Sequence, residues 1–420
     1  MLAAGVVIGY GTVMRTPVFP SLIASRHSLP TFADALKYLA DVVEPLGVEA
    51  LPLADAGGRT LALPIRARID LPRRDAAAMD GYALGGEAGT AMPPHWRIVE
   101  PQTGVETRIA AGQALRVATG APLPEGAIRV LPIERAIVAN GWVSLDGPPI
   151  ERSHVRGQGS DLQRGEIALA AGRRIDPRAL VAAAAADVAT VTVRRRPRIG
   201  VLVRGDGLVA PGQAANDGQA VPDMLGEALS LFGVTWGGHP AETVRISEDP
   251  TAMTDAVTAL YEAADVIVLA GGAAHGARDA AKTALAGQGL EMVFDGLAIR
   301  PGRPTWCGRI DGIPVLALPG NPTAAMTVAR LLLAPLLARL CGDDVAAALS
   351  WEPMPLLAPV PPTGTREAFL CAAAEANGVR ILDRSETTGQ MLLASSDRLV
   401  ARPAGGPALA AGTLVPTLRF

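Results

Sequence analysis

Arg198-Ile-Gly-Val-Leu-Val-Arg-Gly-Asp-Gly207, Asp265-Val-Ile-Val-Leu-Ala-Gly-Gly-Ala-Ala-His-Gly276 and Pro314-Val-Leu-Ala-Leu-Pro-Gly-Asn-Pro322 decide the fold of this chain. Each is a short run of β-branched and aliphatic residues that stops abruptly at Gly, Asp or Asn. Continuous apolar runs of this length suit parallel strands buried on both faces. The glycines then fall at the carboxyl ends, where open α/β sheets bind their ligands. Three such ends point to a phosphate-bearing or heterocyclic ligand held largely by backbone groups.

The third junction is the sharpest. Asn321 is a good helix cap, Pro322 suits a first helical turn, and an apolar helix follows. Gly320 permits close approach to the backbone, and the helix N-terminus offers N–H groups to an anion. The plainer reading of any one junction is an ordinary capped turn; the three together favour a ligand site.

Working outward, helical patterns near Pro222–Phe232, Asp249–Ala264, Arg278–Ala286 and Pro322–Leu340 alternate with the strands. This alternation predicts a doubly wound parallel sheet from about Arg198 to Gly342. Upstream, Phe32, Ala35, Leu36, Leu39, Val42 and Val43 share a helical face, and Thr31 can cap that helix. Gly and Pro punctuation from about Arg73 to Ile150 suggests a small β domain. Past the Pro-rich connector Pro353–Pro362, the last stretch reads as all-β.

Bulk properties exclude several classes. The 420 residues allow two to four domains. Lys plus Arg number 38 against 41 acids, and aromatics make up 4%, so neither a nucleic-acid footprint nor a stacking platform is expected. No uninterrupted apolar run is long enough to span a bilayer, so no membrane role is expected. Cys307, Cys341 and Cys371 form no CxxC pair, and a reducing, cytoplasmic setting follows. The first 28 residues read as an unordered extension or a start placed too far upstream.

Neither GxxxxGK[ST] nor a full GxGxxG is present. Asp206, Glu248, Asp249 and Asp279 surround the strand ends and could bind Mg²⁺, which takes few carboxylates plus substrate phosphates. For each acid alone, a helix cap or solvated surface is the plainer reading. Arg300 and Arg303 flank Pro-Gly on a stiff turn, and guanidinium forks match phosphate or an oxyanion. Asp80-Gly81-Tyr82 and Thr119-Gly120 are turns with polar tips; closing the turn is the plainer role of each.

In order, Ala-Met-Asp-Gly-Tyr-Ala, Ala-Thr-Gly-Ala-Pro-Leu-Pro-Glu-Gly-Ala, Gly-Gly-x-x-x-Gly-x-x-Asp, Pro-Gly-x-Pro and Leu-Pro-Gly-Asn-Pro resemble the molybdopterin molybdenumtransferase family, the molybdenum insertases related to the gephyrin E domain. The resemblance runs from about Leu29 to Phe420. It implies a four-part, dimerising subunit: a discontinuous linker domain (29–72 and 151–196), an inserted β domain (73–150), a molybdopterin-binding α/β domain (197–345) and a C-terminal β domain (350–420). It implies insertion of molybdate into adenylylated molybdopterin, with Mg²⁺-assisted release of AMP. A client molybdoenzyme or an upstream adenylyltransferase would be a partner. Asp80, Thr119, Glu248 and Asp279 take the catalytic positions, and Asp206, Glu248 and Asp279 the metal positions. The cofactor would meet Gly205, Asp206, Gly271, Gly272, Gly276, Arg300, Arg303, Pro319, Gly320, Asn321 and Ser395.

The chain departs from the family pattern in four places. Gly207 replaces an acid, and Gly218-Gln-Ala-Val-Pro222 replaces an Asp-Ser-Asn-like helix start. His275, Ala277 and Arg278 remodel the second loop, and Arg replaces Lys at 300 and 303. Either Mg²⁺ affinity falls, or the remaining acids and substrate phosphates hold the ion. An active insertase and a non-catalytic protein that binds, stores or delivers the cofactor are both compatible with this sequence.

Overall fold

In a computed structural model of the chain, the described residues are 28–87, 93–101, 107–271, 280–383 and 389–420. The N-terminal stretch read above as an extension lies outside them up to residue 27. The chain forms two compact units, Leu46–Arg195 and the combination of Met1–Pro45 with Arg196–Phe420.

Leu46–Arg195 contains separate cores. In one, helix Pro177–Ala185 starts where the Asp176 carboxylate accepts the Ala179 N–H. It buries Ala179 and Ala183 in a cluster that includes Leu61, Ile175 and Val193. Strands Val48–Pro52 and Thr190–Arg194 pair alongside it. The other core lies on a six-stranded sheet in the order 127–132, 81–85, 113–117, 95–99, 142–145, 136–139. Leu84, Trp96, Leu131 and Val143 fill one of its faces. Gly81 sits so close to the neighbouring strand that a Cβ would overlap the Leu131 carbonyl oxygen.

The second unit carries the three quoted strands. Its first helix is α1 (Phe32–Val42), and Thr31 and Asp34 form the expected capping box. The strands are β1 (Arg198–Arg204), β2 (His239–Ile246), β3 (Val266–Ala270), β4 (Glu291–Asp295), β5 (Trp306–Ile310) and β6 (Ile313–Leu318). They form one sheet in the order β2-β1-β3-β6-β5-β4. The first four are mutually parallel. Here the parallel-sheet expectation needs correction near one edge, because β5 runs antiparallel to both of its neighbours, β6 and β4. The cause is local: Asp311 and Gly312, at φ 45° and 85°, make a two-residue hairpin turn between β5 and β6.

Helices α2 (Gly226–Thr235), α3 (Pro250–Tyr261), α4 (Ala280–Ala286) and α5 (Pro322–Leu340) complete the doubly wound layer. Gly200 of β1 faces Leu260 and Ala264 on the α3 side, while Gly233 of α2 lies against Ile199 on the other. Among the described residues α5 alone is long and apolar enough to cross a membrane, and 89% of its apolar stretch is buried inside the protein. It is the central helix of this core. Arg330 within α5 stacks on Trp236 at 4.4 Å and donates Nε to the Arg419 carbonyl at 2.6 Å. Burial pushes its pKa down to about 10.

The C-terminal strands are β7 (Trp351–Pro355), β8 (Glu367–Glu375), β9 (Gly378–Ile381), β10 (Arg398–Arg402) and β11 (Leu414–Arg419). The two-residue strand Ile299–Arg300 leaves the α/β region and joins this second sheet beside β8. The stretch is not all-β, since helix α6 (Gly389–Ala394) interrupts it. The helix α1, grouped above with the linker domain, falls in this unit instead. Its apolar face requires it: Phe32 meets the Phe369 ring at 5.1 Å, and Val43 accepts from Arg339 at 2.9 Å.

Candidate functional site

The strand order reverses between β1 and β3, because β2 lies on one side of β1 and β3 on the other. Ligands of open α/β sheets bind outside the carboxyl ends at such a point. Here the ends close on one another. Gly271, at φ 84°, lies against the end of β1, where a Cβ would overlap the Arg204 carbonyl oxygen. A Cβ on Gly320 would stand 3.4 Å from the Gly271 Cα. Arg204, Gly271 and Gly320 therefore lie together around a small cavity of about 70 Å³, while residues 272–276 of the second junction lie outside the described residues. Arg204, Leu208, Met224, Gly271, Gly320 and Pro322 are among its walls.

The glycines shape this cleft more than they donate to it. The Gly205 N–H already bonds the Ile246 carbonyl at 3.0 Å, and the Gly271 N–H bonds Leu318 at 3.3 Å. Asn321 caps α5 as predicted, its Oδ1 accepting the Ala324 N–H at 3.1 Å. Pro319 is buried and Gly320 and Asn321 are exposed at the rim.

Two of the expected metal-site acids come together at the same edge. Asp206 Oδ1 accepts the Glu248 N–H at 2.9 Å, and Arg204 donates to the Glu248 carbonyl at 2.7 Å. Both acids are exposed. Asp249 is a helix cap: it accepts the Thr251 N–H at 2.9 Å, and that bond holds its carboxyl below the usual range. Asp279 lies outside the described residues, with Gly272, His275, Gly276, Ala277 and Arg278. Among the described residues, no group of three or more His, Cys, Asp or Glu is arranged to hold a metal ion. Asp206 and Glu248 fit the smaller share that Mg²⁺ takes from a protein when substrate phosphates supply the rest.

Arg300 opens onto a larger cavity of about 660 Å³ in the C-terminal sheet, together with Arg366 and Arg402. Arg402 is buried and donates to the Pro361 and Pro407 carbonyls. Arg300 and Arg366 have no hydrogen-bond or ion-pair partner among the described residues. Backbone pairing of Ile299–Arg300 with Glu367–Ala368 brings the two stretches of chain to the same cavity. Arg303 and Ser395 do not line this cavity; both are exposed elsewhere in the same unit.

In the other unit, Asp80 and Thr119 meet directly. Asp80 Oδ1 accepts the Thr119 N–H at 2.7 Å and its hydroxyl at 2.9 Å. The N–H first, then the hydroxyl, keep the Asp80 carboxyl below its ordinary range. The pairing follows from strand register, because Gly81 lies opposite Val117.

Sequence reasoning missed Arg366 and Asp223. Asp223 is buried, accepts the N–H groups of Leu225 and Gly226, and takes Arg245 Nε at 2.8 Å. It starts α2 from the residue just past the Gly218–Pro222 stretch thought to lack that function. An acid three positions before Gly226 was the available signal. Cys307 is buried and its thiol is pushed up to about 12, so it stays protonated.

A mostly parallel, doubly wound sheet with glycine ends at its switch point, and a C-terminal sheet beside it, define a multi-part α/β protein. Residues 30–186 match the family model described as "MoeA N-terminal region (domain I and II)", and 200–339 match "Probable molybdopterin binding domain". "Molybdopterin molybdenumtransferase 1" of Mycobacterium tuberculosis is 31% identical over 68% of this chain and 72% of its own. "Molybdopterin molybdenumtransferase" of Synechococcus elongatus is 29% identical over 90% of this chain and 96% of its own. A solved molybdopterin biosynthesis protein from Pyrococcus horikosii superposes with TM-score 0.76 at 26% identity, covering 94% of this chain and 99% of that one. The chain belongs to the molybdopterin molybdenumtransferase family.

Proposed function

We propose that this protein is a molybdenum cofactor biosynthesis enzyme that inserts molybdate into adenylylated molybdopterin and releases AMP. The observation that carries the reading is the convergence of Arg204, Gly271 and Gly320 at the switch point. The phosphate-bearing end of the substrate would lie there, close to the backbone. Arg300 and Arg366, whose guanidiniums have no partner among the described residues, would hold molybdate through their planar forks. Family membership supports molybdopterin as the substrate.

Catalysis in this reading is positioning and electrostatics. Asp206 and Glu248, with Asp279, would hold Mg²⁺, which supplies charge neutralisation on the phosphoanhydride when bound. Arg204 fixes the Glu248 backbone and so orients the acid pair. Asp80, kept ionised by Thr119, would act as a charged carboxylate rather than as a proton acceptor. The pterin supplies the sulfur ligands, consistent with a protonated, buried Cys307. The reading includes a cytoplasmic homodimer, the four-part division given above, an upstream adenylyltransferase and a client molybdoenzyme.

AMP release by the purified protein, with adenylylated molybdopterin, Mg²⁺ and molybdate, tests it. Molybdate-dependent AMP is expected. Tight cofactor binding without AMP would instead assign storage or delivery.

A further inference from the structure

We propose that the C-terminal cavity takes an organic phosphate, a phosphoryl group carried on an apolar or planar body, and not a bare oxyanion alone. The proposal rests on reading Arg300 and Arg366 as anion ligands and assigns the rest of the space beside them. Its first support is size. Molybdate has four oxygens, about 120 Å³ at roughly 30 Å³ for each water-sized atom. The cavity is about 660 Å³, within the range of about 300–1,000 Å³ for pockets that hold organic ligands.

The second support is where the charges stand. Ala368 pairs with Arg300 on one side and with Arg402 on the other, so three adjacent strands place these residues in one row. Alternation along the chain turns Arg366, Ala368 and Leu370 to the same face, and all three line the cavity. The small Ala368 leaves room between the arginines. Arg402 is bonded to the Pro361 and Pro407 carbonyls, which leaves Arg300 and Arg366 for a ligand. Two guanidiniums match the double charge of a phosphate monoester. The other end is apolar, with Leu370, Ile381 and Leu382 as walls. The Leu382 N–H bonds the Cys371 carbonyl at 2.9 Å, so that wall runs beside the Leu370 end of β8. Asp383 follows it as the one acid lining the cavity, and disfavours a second anionic group there.

The opposite wall, residues 358–363, is preformed. Val360 exchanges backbone bonds with Leu409 at 2.9 and 3.0 Å. Thr363 Oγ1 donates to the Pro403 carbonyl and accepts the Gly406 N–H, both at 2.6 Å. Pro359, Pro361 and Pro362 stiffen the stretch between. A wall fixed in this way costs a ligand little ordering.

Phenyl phosphate, inorganic phosphate and benzoate are the probes, titrated calorimetrically into the full-length protein. Phenyl phosphate should bind about ten- to a hundredfold more tightly than inorganic phosphate, the range for burying one phenyl-sized apolar group. Arg366→Ala should weaken phenyl phosphate about tenfold or more, as for a lost charge-assisted bond. Arg300→Ala, at an exposed position, should do the same and covers the case that Arg366→Ala does not fold. Leu382→Ala, at a half-buried position, should remove most of the preference for phenyl phosphate and leave inorganic phosphate unchanged. Equal affinity of the unaltered protein for phenyl phosphate and inorganic phosphate overturns the organic body. Benzoate bound as tightly as phenyl phosphate overturns the phosphoryl head. Phenyl phosphate bound equally by the arginine variants lies outside this cavity, which also overturns the proposal. Molybdate, titrated separately, decides the other reading: phenyl phosphate bound without molybdate would remove Arg300 and Arg366 as molybdate ligands and leave the organic phosphate site standing.

Discussion

Replacing Gly271 with alanine should be among the most damaging single-methyl additions to this protein. Two effects act together. Gly271 sits at φ 84°, and a side chain in that region costs about 1–2 kcal/mol. The new methyl also overlaps the Arg204 carbonyl oxygen at the end of a central strand, and overpacking of that kind costs about 1–3 kcal/mol. The sum, about 2–5 kcal/mol, corresponds to a Tm drop of about 4–20 °C at roughly 2–4 °C per kcal/mol for a domain of this size. Two neighbours serve as controls. Gly207, at φ 70° with open space apart from the Gln219 carbonyl at 3.2 Å, should lose about 2–8 °C on mutation to alanine. Gly320 would gain only an ordinary 3.4 Å contact and should change by less than about 2 °C. Calorimetry of the three variants, under identical conditions, gives the order. If Gly271→Ala melts with Gly320→Ala, the three strand ends do not converge and the assignment of the cleft fails.

Gly207→Glu restores the acid that the family usually carries, yet its φ of 70° predicts a lower Tm by about 2–8 °C. In the folded variant AMP release should need less Mg²⁺, and an unchanged Mg²⁺ dependence would place residue 207 away from the ion. Thr119→Val should raise the Asp80 pKa towards the ordinary carboxylate value, read by carboxyl NMR. The Thr119 bonds favour the ionised form, so their contribution is present above the unfolded pKa and fades as pH falls through the lowered folded value. An unmoved Asp80 titration would leave the residue-119 N–H, which valine keeps, as the cause and remove the hydroxyl. Arg300→Ala and Arg366→Ala should each weaken molybdate binding about tenfold or more, as for a lost charge-assisted bond, with Tm nearly unchanged. Equal binding by calorimetric titration would move the oxyanion elsewhere.

Much of this was readable in the chain because the governing forces are local. Apolar runs ending in glycine named β1, β3 and β6, and Thr31, Asn321 and Pro322 marked helix starts through their own side chains. Asp311-Gly312 carried a hairpin signal that the βα alternation masked, so β5 was expected to run the other way. Asp223 escaped because its role depends on Arg245, which is distant in sequence and adjacent only after β2 pairs with β1. Arg366 escaped for the same reason: it lines one cavity with Arg300 only once Ile299–Arg300 pairs with Glu367–Ala368. Asp249, one of four acids near the strand ends, takes the plainer role of a helix cap. Such distinctions depend on where a carboxylate's lone pairs point, which spacing alone does not encode.

The pairing of Ile299–Arg300 with Glu367–Ala368 has a consequence for anyone who would cut this protein into pieces. The Pro353–Pro362 connector invites a fragment boundary, but the sheet beyond it borrows a strand from before it. A fragment starting at Trp351 would leave β8 unpaired at Glu367–Ala368, with backbone N–H and C=O groups there ready to pair with another copy. A fragment stopping at Gly342 would leave Arg300 without the backbone that aims it. Grafting or swapping the C-terminal module between relatives therefore requires moving residues 298–303 with it, and a chimaera that respects only the linear boundary should aggregate where one that carries this strand stays monodisperse.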